Sequence, residues 1–96
     1  MSAPLHYVCQ IPVLSTAHVS FTTMDQLQSG PADNPFGFVC AYPEGAFIRF
    51  TLEDTLPIST PEDLRALHRW GQQHHYFWLR LDADGDRVDG LPLYDW

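Results

Sequence analysis

The apolar residues between positions 46 and 82 repeat with a period of two, then of about 3.6, then of two again, and that switch limits the folds open to this chain. Ala46, Ile48, Phe50 and Leu52 fall on one side of an extended segment, with Phe47, Arg49 and Thr51 on the other. This alternation describes a strand with one covered face. A helix start follows. Thr60 stands as the cap, Pro61 at the first helical position, and Glu62 and Asp63 where the helix dipole favours negative charge. Leu64, Leu67, Trp70 and Gly71 then recur at helical spacing. From Tyr76 to Asp82 the period returns to two, with Phe77, Leu79 and Leu81 opposed to Tyr76, Trp78 and Arg80. Asp84-Gly85 is a hairpin signal, which predicts a short returning strand over Arg87–Leu91 before the aromatic tail Pro92–Trp96.

The first half repeats the succession. Leu5 to Leu14 reads as a strand with Tyr7, Cys9, Ile11 and Val13 on one face, and Pro12, which has no N–H to give a ladder, makes its end irregular or edge-exposed. A short helix is capped by Thr22 or Thr23, carries Asp25 in its first turn, shows a narrow Met24/Leu27 stripe, and stops at Gly30-Pro31. Residues 32–35 form a loop, Phe36–Tyr42 a strand, and Pro43-Glu44-Gly45 a hairpin turn. The expected fold is therefore α+β, in the order β-α-β-β-α-β. That is the ferredoxin-like pattern: one domain over residues 1–96, an antiparallel sheet with both helices on one face, and a C-terminal β-hairpin or tail. In it the strands at 46–52 and 76–82 flank the first strand without touching each other.

Charge narrows the partners. Twelve Asp and Glu oppose five Arg, there is no Lys, and the net charge is −7 on 96 residues. Such a surface repels nucleic acid and anionic membranes and suits basic protein surfaces. The N-terminus has no basic region followed by an apolar run, and no stretch approaches 18 apolar residues. Cys9 and Cys40 are too few for a disulfide framework. These features predict a cytoplasmic chain with reduced thiols, no membrane contact and a monomeric or homodimeric state.

Three groups of residues carry side chains suited to chemistry. Asp82, Asp84 and Asp86 resemble the start of a calcium loop, but Gly85 falls too early and Arg87 stands where the glycine belongs. Of the His and Cys residues only His6-x-x-Cys9 has zinc-like spacing, and alternation points those two to opposite faces. Ser15, His18 and Asp25 are close in sequence, without the context of a nucleophile. No catalytic residue, metal ligand or cofactor is expected, and a small metal-dependent enzyme remains an alternative. Two binding surfaces stand out instead. The outer sheet face would carry Phe47, Arg49, Thr51, Tyr76, Trp78 and Arg80. Aromatics interleaved with Arg can stack bases, yet the overall acidity opposes this, so either the tail residues Leu91, Leu93, Tyr94 and Trp96 cover the face or a protein does. The second surface is acidic: Glu53, Asp54, Glu62 and Asp63 with Asp82, Asp84, Asp86 and Asp89, set along one edge as partner-binding carboxylates.

The ending from Asp84 to Trp96, with Gly90-Leu91-Pro92-Leu93-Tyr94-Asp95-Trp96 at its close, resembles that of a family of small acidic bacterial proteins carried on plasmids, integrated elements and prophages. Leu14-Ser15-Thr16-Ala17-His18-Val19 resembles their N-terminal signature. The resemblance implies a setting rather than a chemistry: an anti-CRISPR or anti-restriction inhibitor that binds a nucleic-acid-handling effector complex, with nucleic-acid mimicry as one route. A regulatory or immunity-type partner of an element-encoded toxin, using Trp78 and Arg80, is the alternative.

Overall fold

A computed structural model describes residues 8–51 and 55–95. The elements run β1 (Val13–Ser15), a single 3-10 turn (Thr16–His18), α1 (Phe21–Ser29), β2 (Asp33–Asn34), β3 (Gly37–Tyr42), β4 (Gly45–Phe50), α2 (Glu62–Gln73) and β5 (Trp78–Asp82). They make a small α+β fold with one five-stranded sheet in the order β1-β5-β4-β3-β2. β2 through β5 pair antiparallel, and β1 lies parallel to β5.

This order corrects the ferredoxin-like expectation. β4 and β5 are neighbours, and β1 is not central. Pro12 supplies the reason. It cannot donate to a ladder, so β1 shrinks to three residues, although the Pro12 carbonyl still accepts from the Arg80 amide at 2.9 Å. Residues 8–12 form no strand, and Leu5, His6 and Tyr7 lie outside the described residues. The five-residue β5, with Leu79 and Leu81 buried, takes the inner place instead.

The predicted C-terminal hairpin does not form either. Asp86 meets the free side of β1: the Ser15 amide donates to the Asp86 carbonyl at 2.8 Å, and the Asp86 amide to the Val13 carbonyl at 3.3 Å. Gly85 makes this crossing possible, because a Cβ there would lie 2.3 Å from the Leu14 carbonyl oxygen.

Both helices start at residues other than those the sequence predicts. Ser20, not Thr22 or Thr23, caps α1, its Oγ accepting from the Thr23 amide at 3.1 Å. Pro61, not Thr60, holds the cap position of α2. The buried Asp63 carboxylate joins the two helix starts, accepting from the Ser20 amide at 2.8 Å and the Leu64 amide at 2.9 Å. α2 ends with His75 at φ 61°, a left-handed residue, while the Tyr76 amide reaches back to the Gly71 carbonyl at 2.9 Å. That is the Schellman pattern, with His in the position glycine prefers.

The inner sheet face (Val39, Ala46, Ile48, Phe50, Leu79, Leu81) joins Leu14, Met24, Leu27, Leu64 and Leu67 in one buried cluster. Val88 and Leu91 of the tail pack against it. His18, fully buried, holds that tail. The Val88 amide donates to its Nε2 at 2.9 Å, so Nδ1 carries the proton and donates to the Pro92 carbonyl at 2.8 Å. The Tyr94 amide adds a bond to the Ala17 carbonyl at 2.8 Å. The described tail is thus tied to the 16–18 turn and does not lie across the outer sheet face as cover; Trp96 is outside the described residues. None of the helices described is long and apolar enough to cross a membrane.

Two changes test this account. His18→Ala orphans the Val88 amide and opens a hole, so it should cost about 2–4 kcal/mol in denaturant unfolding, and the Val88 and Tyr94 amides should exchange faster with solvent. His75→Gly relieves the left-handed residue and should raise stability by roughly 1 kcal/mol, read as a higher melting temperature.

Candidate interaction face

The register of β3, β4 and β5 sorts the outer face into three rows. Phe38, Arg49 and Trp78 form the first, Cys40, Phe47 and Arg80 the second, and Tyr42, Gly45 and Asp82 the third. Phe47, Arg49, Trp78 and Arg80 therefore share this face, as alternation predicted. Tyr76 does not join them. It precedes β5 and stacks on Trp70, with ring centroids 5.7 Å apart. Thr51 lies just past the end of β4.

The second and third rows are bound into one network. The Arg80 guanidinium sits 5.1 Å from the Tyr42 ring centroid and 5.3 Å from that of Phe47. Its Nε donates to the Tyr42 hydroxyl oxygen at 2.8 Å, and its Nη2 stands 3.2 Å from Asp82 Oδ2. The Tyr42 hydroxyl donates to that same oxygen at 2.6 Å, and the Asp84 amide donates to Asp82 Oδ1 at 2.8 Å. The Tyr42 hydrogen bond, then the Asp84 amide, hold the Asp82 carboxyl below the usual carboxylate range. Burial, then the Asp82 carboxylate, push the Tyr42 hydroxyl up. In the first row Phe38 and Trp78 meet edge to face at 6.4 Å. Arg49 is exposed and makes no ion pair among the described residues.

The predicted acidic edge divides into groups with different roles. Asp82 and Asp63 are buried and spent on internal hydrogen bonds. Asp84, Asp86 and Asp89 are exposed, as is Glu62 in the first turn of α2. Glu53 and Asp54 lie outside the described residues. The sequence reading missed Glu44. Its carbonyl accepts from the Ala83 amide at 3.0 Å, which brings the β3–β4 turn beside the Asp82–Asp86 loop. Tyr42 was missed as well, although alternation with Phe38 and Cys40 placed it on this face.

The nucleophile and metal candidates separate. Ser15 Oγ accepts from the Ala17 amide at 3.1 Å, and both His18 nitrogens serve the tail. Cys9 and Cys40 are both exposed. Among the described residues no three His, Cys, Asp or Glu side chains converge as metal ligands would.

Over residues 11–96 the chain matches the C-terminal domain of a family of unknown function (DUF5983), and it belongs to that family. No curated protein and no solved structure matches it.

The Asp82 network has a pH signature. A carboxyl lowered in the fold stabilises it above about pH 4, and that contribution is lost as pH falls through the folded value. Wild type should therefore be more stable than Asp82→Asn at neutral pH, and urea midpoints of the two should converge toward pH 2. Tyr42→Phe should move the Asp82 titration, followed by carboxyl-carbon NMR, back toward that of an ordinary aspartate.

Proposed function

We propose that this domain acts by binding a basic surface of a nucleic-acid-handling effector complex, as an inhibitor of a bacterial defence system. The observation that carries the reading is that the β3–β4 turn bearing Glu44 is hydrogen-bonded to the loop after β5 that bears Asp84 and Asp86. These side chains are exposed, and no described hydrogen bond draws on the carboxylates of Glu44, Asp84 or Asp86. A folded chain that concentrates free carboxylates against a net charge of −7 stores electrostatic repulsion. A surface rich in Lys and Arg relieves it, speeds encounter and fixes register. Exposed carboxylates carry the same sign of charge as the phosphates that an effector groove receives, which favours mimicry of nucleic acid over direct contact with it. The bacterial defence setting comes from the mobile-element resemblance of the 84–96 and 14–19 segments.

The test is affinity capture from bacterial lysate containing CRISPR and restriction systems, with mass spectrometry of what is retained. A variant carrying Glu44→Gln, Asp84→Asn, Asp86→Asn and Asp89→Asn runs alongside, with Asp82 kept because it is structural. Capture of a nucleic-acid-handling effector by wild type, weakened by salt and lost in the variant, supports the reading. Equal capture by both would show that the acid only keeps the chain soluble.

A further inference from the structure

We infer that Asp89-Gly90 is a site of spontaneous backbone rearrangement, where the aspartate converts to isoaspartate and becomes a substrate for a carboxyl methyltransferase, while the chain's other Asp-Gly pair, Asp84-Gly85, is held unreactive by the fold. This goes beyond the acidic end as a binding surface and does not rest on it.

The chemistry needs no co-reactant other than water. The Gly90 nitrogen attacks Cγ of Asp89 and a C–N bond forms. The carboxyl group loses its hydroxyl, which departs as water with the amide proton. The product is a five-membered succinimide. Water then adds to either imide carbonyl. One opening restores aspartate. The other routes the main chain through the side-chain carboxyl and leaves the α-carboxyl free, with atoms and charge unchanged overall. The reaction asks two things of the chain. The following residue must not block attack, and the backbone must be free to turn the amide nitrogen onto the side chain. Glycine meets the first condition at both Asp84-Gly85 and Asp89-Gly90.

The second condition separates the two pairs. The Asp84 amide donates to Asp82 Oδ1 at 2.8 Å, and the Gly85 amide, the nucleophile in waiting, donates to the Asp82 carbonyl at 2.9 Å. Both backbone groups of Asp86 are bonded to β1. The Leu14 carbonyl oxygen stands 2.3 Å from where a Cβ of Gly85 would be. Turning the peptide between Asp84 and Gly85 breaks these contacts together.

Asp89 and Gly90 are both exposed. Among the described residues no hydrogen bond uses the Gly90 amide or the Asp89 carboxylate. Nothing lies within 4 Å of a Cβ built on Gly90, whose φ of 92° only glycine enters freely. The turn is closed by a single long bond, from the Leu91 amide to the Val88 carbonyl at 3.3 Å.

The position gives the change a consequence. The Val88 amide donates to His18 Nε2, and the Pro92 carbonyl accepts from Nδ1. Isoaspartate inserts one extra methylene into the main chain between these contacts. His18 holds both ends of that stretch, so lengthening it loosens the tail.

The test ages the full chain in warm, mildly acidic buffer, both folded and in guanidinium. Mass spectrometry of peptides locates the isoaspartate, and an isoaspartate-specific carboxyl methyltransferase with labelled S-adenosylmethionine counts it. In the folded chain Asp89 should rearrange at least about tenfold faster than Asp84, the factor that one fixed backbone residue is worth. In guanidinium the two should react alike. Asp89→Glu keeps the charge but would need a six-membered ring, so it should remove most methyl incorporation by the folded chain. The Tyr94 amide should exchange faster with solvent in aged protein than in fresh. Equal rates at Asp84 and Asp89 in the folded chain, reaction at neither, a difference that persists in guanidinium, or a Tyr94 amide as protected after rearrangement as before would overturn the inference.

Discussion

Val13 and Ser15 share backbone hydrogen bonds with Asp86 on the side of β1 that β5 leaves open, and the segment after β5 hangs on that short strand. Leu14 between them is buried, so three residues join the core, the sheet and the C-terminal segment. From β1 the chain passes directly into the 16–18 turn, which presents His18 to the tail. The tail has no regular structure of its own. It stays in place because His18 accepts from one of its amides and donates to one of its carbonyls, while Val88 and Leu91 bury apolar surface. A buried imidazole with both nitrogens bonded fixes position more sharply than apolar contact alone, which is non-directional. Holding the tail to that side leaves the sheet's outer face to other uses.

Local periodicity made β3, β4, α2 and β5 legible, and with them the two faces of the sheet. Alternation needs only the pleat, so Phe47, Arg49, Trp78 and Arg80 could be assigned to one face without knowing which strands are neighbours. Strand order is a different kind of information. Whether β1 lies inside the sheet or at its edge depends on how many hydrogen bonds a strand can form, and Pro12 lowers that number for β1. Asp84-Gly85 shows the same limit. Asp-Gly predicts a positive φ for a hairpin, but the missing Cβ of Gly85 instead admits the Leu14 carbonyl. The residue type announces close approach or unusual backbone, and only the tertiary structure says which.

The acids show why counting charge cannot locate a surface. Asp63 and Asp82 look no different in sequence from Asp84 or Asp86. Yet Asp63 satisfies amides at two helix starts and Asp82 completes a network with Tyr42 and Arg80. Their charge is used inside the molecule, so removing it tests folding rather than binding. Glu44 moves the other way: forty residues from the acidic loop in sequence, it reaches that loop through the pairing of Gly45 with Asp82. The sheet thus sets exposed acids from two distant stretches of sequence on neighbouring loops.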